Sequence, residues 1–315
     1  MKTFRVFVTR KIPGQGIAML KQRGYDVEVW SGNKSPSQKD IMQKATGADA
    51  LLCLLTDKID GEVMDAIGPQ LKVISNYAVG LDNIALDEAK KRNIIVGNTP
   101  DVLTEAVAGH AVALILAIAR RIVEADAFTR AGKYKGWEPE LFLGAELQEK
   151  TLGILGCGRI GFEVAKKMFL AFGMRILYYD KNPRAEVEKA CNAKYASIEE
   201  LLQQSDVVSI HVPLLPETRH LIGEQQLKMM KPTSYLINTA RGPVVNEKAL
   251  LTALEQKWIA GAALDVFENE PAITSGLRRI SNVVLTPHIA SATFEARSKM
   301  SELAAKNIID VLLGK

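Results

Sequence analysis

The chain has 315 residues, with 40 basic side chains against 36 acidic ones and a formal charge of +4. That length exceeds one average domain, and the apolar content is enough for two domains with cores of their own. The charges are spread along the chain without a run of one sign, which excludes a nucleic-acid or membrane patch and leaves small molecules as the expected partners.

The first segment, MKTFRVFVTRKIPG, reads as a short strand ending at Pro13 rather than a signal peptide. No apolar stretch has both the length and the context of a membrane span. Cys53, Cys157 and Cys191 are odd in number, stand singly in apolar or helical stretches and lack metal-ligand spacing. They read as reduced thiols, so a soluble, cytoplasmic protein is expected. Apolar runs of strand length occur at residues 6–8, 50–55, 73–74 and 94–96, with helix-length amphipathic segments between them. That alternation predicts a parallel α/β sheet.

Residues 103–131 read as one long helix crossing between domains. Its inner part, AVAGHAVALILAIA, is apolar on nearly every face, which predicts burial between the domains or against a second subunit; a homodimer is therefore expected. Gly109 costs about 1 kcal/mol relative to alanine in a helix, so close backbone packing is expected there. A second series of strands is predicted at 151–155, 175–179, 207–210, 235–237, 260–263 and 283–285. The last helix, 292–313, follows that series and returns to the first domain, which becomes discontinuous.

Gly156-Cys157-Gly158-Arg159-Ile160-Gly161 follows the apolar strand 152–155 and opens a helix. In that setting the first glycine permits a tight turn, the second lets a pyrophosphate approach the backbone, and the third lets helix and strand pack closely. The phosphates then meet the helix N-terminus. Asp180 ends the next strand, 19 residues after Gly161, where a carboxylate accepts hydrogen bonds from ribose hydroxyls. A dinucleotide site follows, with NAD favoured over NADP because a carboxylate repels a 2′-phosphate. Lys181 and Arg184 stand close enough in sequence to soften that choice and admit NADP.

Four motifs add to the glycine pattern: Asn76-Tyr77-Ala78-Val79-Gly80-Leu81-Asp82-Asn83, Asn238-Thr239-Ala240-Arg241-Gly242, Asp265-Val266-Phe267-Glu268-Asn269-Glu270-Pro271 and Pro287-His288-Ile289. In order and spacing the chain resembles the D-isomer-specific 2-hydroxyacid dehydrogenase family over essentially its whole length. Within it, the stretches 52–55, 99–104 and 120–125 look most like the glyoxylate and hydroxypyruvate reductases. The resemblance implies two Rossmann-like, doubly wound parallel-sheet domains with a cleft between them. Residues 1–100 with 288–315 would bind substrate, and residues 101–287 would bind NAD.

Reduction of a 2-oxo acid adds hydride to a carbonyl carbon and a proton to its oxygen, so it needs a proton donor and a cation for the carboxylate. The resemblance implies that Arg241 holds the carboxylate, that His288 carries the proton and that Glu270 pairs with His288. A carboxylate beside an imidazole favours the charged, proton-donating ring. No metal is required, since Arg241 supplies the positive charge. The backbone amides of Val79 and Gly80 are expected to complete the anion site, with glycine permitting close approach. Leu55 lies in a substrate loop. The resemblance also implies that Asp265 holds the nicotinamide carboxamide, that Thr104 lies near that end of the cofactor, and that His211, Val212, Pro213, Thr239 and Ala240 border it. It further implies that Trp137 reaches the substrate mouth of a second subunit and limits substrate size. Of the other histidines, His110 reads as a packed, hydrogen-bonded core residue and His220 as facing solvent. Where the family usually has an acidic residue and a glycine, this chain has Gly109 and Ala290.

Two other readings compete. A phosphorylated substrate, as in the phosphoglycerate dehydrogenases of this family, needs extra cations. Residues 54–60 and 76–83 offer only Lys58, and no regulatory domain is expected. A dinucleotide-sensing corepressor of the same fold would keep the catalytic set, and the lack of disordered tails argues against it.

Overall fold

A computed structural model describes residues 3–314. It divides into two compact units: one runs through Leu103 and resumes at Ser291, and the other spans Thr104–Ala290. The first unit contains β1 (Arg5–Val8), α1 (Gly16–Gln22), β2 (Asp26–Val29), α2 (Gln38–Lys44), β3 (Ala50–Cys53), α3 (Gly61–Ile67), β4 (Val73–Asn76), α4 (Leu86–Lys91) and β5 (Ile95–Gly97). Its strands form a parallel sheet in the order β2-β1-β3-β4-β5. β3 and β4 are buried along their whole length, as the continuous apolar runs predict.

Two differences from the sequence reading have local causes. The strand expected over 50–55 ends at Cys53, because the Leu54 amide leaves the ladder and donates to Asp57 Oδ2 at 2.7 Å. β2 was not anticipated: it is an edge strand paired only with β1, and its DVEV sequence alternates exposed and half-buried residues.

The second unit contains α5 (Thr104–Ala119), α6 (Ile122–Arg130), β6 (Thr151–Leu155), α7 (Arg159–Phe172), β7 (Arg175–Tyr179), α8 (Ala185–Cys191), β8 (Lys194–Tyr195), α9 (Ile198–Gln204), β9 (Val207–Ile210), α10 (Glu224–Met229), β10 (Tyr235–Asn238), α11 (Glu247–Glu255), β11 (Gly261–Leu264) and β12 (Val283–Leu285). The chain then forms α12 (Phe294–Leu312), which belongs to the first unit. The seven strands of the second sheet run parallel in the order β12-β11-β10-β9-β6-β7-β8. The chain moves outward from β6 to β8 and returns to the other side of β6 with β9. That reversal makes the β6/β9 edge the switch point at which open α/β sheets bind ligands.

The long helix expected over 103–131 is instead two helices bent by 65°. The break is at Arg121, which takes the left-handed conformation (φ 52°, ψ 35°) and pairs through Nε with Glu124 at 2.8 Å. The buried side chains of α5, including Ala108, Ala111, Leu114, Ile115 and Ile118, pack within the second unit against α7, β10 and β11. Burial of this apolar helix therefore needs no second domain or subunit. Gly109 is exposed, and a Cβ built there meets nothing within 4 Å, so the close packing expected of it is not found. Among the described residues no single helix is long and apolar enough to cross a membrane.

In the first unit, α12 packs on α1 and on β3, β4 and β5. The amide of Gly16 donates to Ser301 Oγ at 3.1 Å, and a Cβ at Gly16 would lie 2.2 Å from the Ser301 carbonyl oxygen. Gly16→Ala must therefore push α1 away from α12. The expected cost is about 1–3 kcal/mol, read as a lower urea midpoint at unchanged slope. An unchanged midpoint would contradict this close approach.

Candidate active site

Because every strand of the second sheet is parallel, the loops after β6, β7, β9, β10, β11 and β12 all leave its carboxyl edge. These loops carry Gly156, Asp180, His211, Arg241, Glu270 and His288 in turn.

At the glycine turn, Gly156 has φ +87°, and a Cβ there would lie 2.7 Å from the amide nitrogen of Val212. Glycine is thus required both by the backbone and by the loop after β9. A Cβ at Gly161 would lie 2.2 Å from the Gly156 carbonyl oxygen, so this residue sets how closely α7 meets the turn. Gly158 differs: a Cβ there meets nothing within 4 Å. It is also the N-cap of α7, and no side chain caps that helix, which begins with Arg159 and Ile160. Uncapped amides, the positive end of a helix and open space together suit an anion. Thr239 Oγ1 is buried and has no hydrogen-bond partner among the described residues. These features fit a dinucleotide, with the glycine turn and the α7 N-terminus to hold its phosphates.

Asp180 directly follows β7, and its Oδ1 accepts the Lys181 amide at 2.7 Å. The two cations that the sequence placed nearby already have acidic partners. Lys181 Nζ lies 3.2 Å from Glu217 Oε1, while the Arg184 guanidinium contacts Glu186 and the carbonyl of Cys157. His211 Nε2 lies 2.8 Å from Ser209 Oγ. Burial pushes its imidazole down to about 3, so the ring is neutral at ordinary pH. Val212 is buried, and Pro213 follows it with its carbonyl accepting the Thr218 hydroxyl.

The loops after β10, β11 and β12 are tied together by backbone approach and buried polar groups. Asn238 grips the turn that carries Arg241: its Nδ2 donates to the Arg241 carbonyl at 3.0 Å and its Oδ1 accepts the Ala240 amide at 3.0 Å. Arg241 Nη1 donates to the Ala240 carbonyl at 2.8 Å. A Cβ at Gly242 would lie 1.9 Å from the carbonyl carbon and oxygen of Phe267. Only glycine lets the arginine turn lie against the loop that carries Glu270.

Glu270 Oε1 accepts the Phe267 amide at 2.9 Å, and Oε2 lies 2.8 Å from His288 Nδ1. His288 sits in the left-handed region at φ 55°, a conformation that costs energy for a residue with a Cβ. Asp265 holds it there. The Asp265 carbonyl accepts the His288 amide at 2.8 Å, and its carboxylate accepts the amides of Ile289 and Ala290, each at 2.8 Å. Thr286 Oγ1 donates to Asp265 Oδ1 at 2.6 Å, which leaves that hydroxyl to accept from His110 Nε2 at 3.1 Å. Burial alone would raise the Asp265 carboxyl, but His110, Thr286 and the two amides outweigh it and hold the group below its ordinary value.

His288, Glu270 and Arg241 thus all belong to the second unit. The chain leaves that unit after Ala290, where the sequence reading had begun the returning segment at residue 288. Asp265, expected to face the cofactor, has both carboxylate oxygens turned to the loop after β12. His110, read as a core residue, is part of that support, and Thr286 was not singled out at all. The only sequence signal for it was a hydroxyl between an apolar strand and Pro287-His288. Thr104 and Ala240 stand at the start of α5 and in the arginine turn. His220 pairs with Glu268 at 2.6 Å rather than simply facing water, and Trp137 is 81% exposed.

In the first unit, Asn76 Nδ2 donates to the Gly80 carbonyl at 2.8 Å and to Asn83 Oδ1 at 2.9 Å. Asn83 Nδ2 in turn reaches the carbonyls of Leu54 and Asp57. These asparagines hold the loop of Val79 and Gly80 against the half-buried loop of Leu55. The Val79 carbonyl accepts from Asn98 at 2.8 Å, while the amides of Val79 and Gly80 have no acceptor among the described residues.

Two parallel α/β units, one with a complete glycine turn for a dinucleotide and a carboxylate–imidazole pair on the same sheet edge, define a nucleotide-dependent oxidoreductase. The chain belongs to the D-isomer specific 2-hydroxyacid dehydrogenase family: residues 112–290 match the profile of the family's NAD binding domain. It is 52% identical over 315 residues to the glyoxylate reductase of Thermococcus litoralis, covering 99% of this chain and 94% of that one. A solved structure from Thermus thermophilus superposes with TM-score 0.93 at 45% identity, covering 99% of this chain and 98% of that one. The D-lactate dehydrogenase of Aquifex aeolicus, solved with NAD and lactic acid, gives TM-score 0.85 at 32% identity, with 98% and 96% covered. The protein is accordingly an NAD(P)-dependent dehydrogenase of this family.

Asp265→Asn sets an amide –NH2 against at least one backbone N–H. Faster hydrogen exchange at Ile289 or Ala290 and a stability loss of about 1–3 kcal/mol are expected. Because the folded carboxyl lies below its unfolded value of about 3.9, its contribution is complete above that pH and is lost as the pH falls through the folded value. The gap between wild type and variant should therefore narrow in acid, and a gap that stays constant down to about pH 2 would contradict the clamp.

Proposed function

We propose that this protein is an NAD(H)-dependent reductase of small 2-oxo acids, taking glyoxylate to glycolate and hydroxypyruvate to D-glycerate. The observation that carries this reading is the Glu270–His288 pair at 2.8 Å, on the sheet edge that also bears the glycine turn and Arg241. The likeness to a glyoxylate reductase over nearly the whole chain supports the substrate class.

A bound nicotinamide supplies the hydride. The Arg241 guanidinium pairs with the substrate carboxylate and draws charge toward the carbonyl. His288 would hold a proton at Nε2 for the carbonyl oxygen of a bound 2-oxo acid while its Nδ1 stays on Glu270. Glu270 thereby fixes the ring's orientation and its tautomer. On the first unit, Leu55 and the amides of Val79 and Gly80 are assigned to the substrate. Thr104, Arg159, Ile160, His211, Val212, Pro213, Thr239 and Ala240 are assigned to the cofactor, and Asp265 to supporting the loop beside it.

Asp180 supports NAD over NADP, and pairing of Lys181 and Arg184 with acidic residues strengthens that preference. We assign the protein to the cytosol as a homodimer. The dimer is supported by α6, which buries none of its residues and exposes its own Ile122 and Val123, and by Tyr134 and Leu143, exposed in the segment that follows it. Trp137, in the same region, is assigned to limiting substrate size from a second subunit.

Steady-state oxidation of NADH with glyoxylate and hydroxypyruvate tests the reading. His288→Asn should lower kcat by about 10²- to 10⁴-fold while NADH binding is kept. Glu270→Gln should move the alkaline limb of the kcat profile to lower pH, because a neutral amide then replaces the carboxylate 2.8 Å from the ring. Full turnover by His288→Asn would overturn the assignment. Asp180→Ala is expected to raise kcat/KM with NADPH relative to NADH by about tenfold or more, one like-charge repulsion being removed; an unchanged ratio would place the selectivity elsewhere.

A further inference from the structure

We propose that Glu247 is a positioning residue for Glu270 and, through it, for His288. The inference rests on the roles assigned above to that pair. Glu247 is the first residue of α11 and is only 3% exposed. A helix N-terminus welcomes an acidic side chain, but it does so equally well in water, so helix stability does not call for burial. The N-cap role is already taken by Asn246, whose Oδ1 accepts the Ala249 amide. Taking a carboxylate out of water is costly unless hydrogen bonds replace the water.

Those bonds all come from the loop after β11. Glu247 Oε1 accepts the Glu268 amide at 2.6 Å, and Oε2 accepts the Thr274 amide at 3.1 Å and the Thr274 hydroxyl at 2.7 Å. Glu268 answers in kind: its Oε2 accepts the Glu247 amide at 3.2 Å, and its Oε1 pairs with His220. One buried carboxylate therefore grips the chain two residues before Glu270 and four residues after it.

Between those ties the stretch is held by its own hydrogen bonds, from the Phe267 amide to Glu270 and from the Ala272 amide to the Asn269 carbonyl. Asn269, Glu270, Pro271 and Ala272 are all exposed, so no apolar packing fixes their place. Glu270 must nevertheless keep its Oε2 at 2.8 Å from His288 Nδ1. A shift of about 1 Å would carry that contact beyond hydrogen-bond range. The burial of Glu247 thus stands in for the apolar packing that residues 269–272 lack.

The test uses Glu247→Gln in the full chain. Glutamine offers one acceptor oxygen, so the amide of Glu268 or of Thr274 is left facing an –NH2 group. We expect kcat for glyoxylate to fall by between about tenfold and a hundredfold, with the KM for NADH nearly unchanged. The alkaline limb of the kcat profile should move to lower pH, as with Glu270→Gln, and the double variant should show no further displacement. Leu250→Ala, a buried position on the same helix, controls for stability: it should lower Tm without moving the pH profile. If Glu247→Gln behaves as Leu250→Ala does, losing Tm at a wild-type pH profile, Glu247 is a structural anchor and the proposal fails. Should Glu247→Gln not fold, Thr274→Val removes one tie and must give a smaller shift in the same direction. If Glu270→Gln itself leaves the profile unmoved, it is the assignment of the pair that fails, which is distinguishable from failure of Glu247 alone.

Discussion

The carboxylate of Asp265 is the group on which the arrangement after β12 depends. His288 takes a left-handed backbone conformation, and the following amides of Ile289 and Ala290 would be orphaned without an acceptor. A buried carboxylate accepts both, takes the Thr286 hydroxyl as well, and so converts an unfavourable turn into a defined one. His110, on α5, extends the same network through Thr286. The apolar helix and the histidine turn are thereby coupled by hydrogen bonds rather than by packing alone.

The same device recurs wherever a strand ends. Asn238 spans the arginine turn, Glu247 grips the loop after β11, and Asn76 and Asn83 join two loops of the first unit. Loops at a carboxyl edge cannot be held by a hydrophobic core, because a ligand must reach them. Short polar side chains rooted in buried strand ends or helix starts supply the rigidity, and glycine at 156 and 242 removes the side chains that would keep adjacent loops apart. A site built this way leaves open the positions where ligand groups enter, as at Gly158.

The periodicity of apolar runs made the central strands legible, because strands buried on both faces need continuous Val, Ile and Leu. Two of the four edge strands escaped for the opposite reason: β2 and the two-residue β8 face water and carry charged residues. The break at Arg121 was also invisible, since a left-handed arginine stabilised by Glu124 has no marker such as proline or glycine. At the site, residue types with a chemical task were readable from motif and order. Supports such as Thr286 and Glu247 were not, since they are ordinary residues whose importance lies in what the fold puts within hydrogen-bond reach of them.

By itself the sequence determined the parallel α/β class, the glycine turn with its acidic strand end, and the set of Arg241, Glu270 and His288 as candidates. These follow from local chemistry: a tight turn needs glycine, a buried strand needs apolar residues, and a 2-oxo acid needs a cation and a proton donor. Tertiary structure alone decided that Asp265 faces the loop after β12, and that Thr286 and Glu247 take part. Hydrogen bonds act over about 3 Å, and groups separated by tens or hundreds of residues come within that range only when the parallel strands end at one edge.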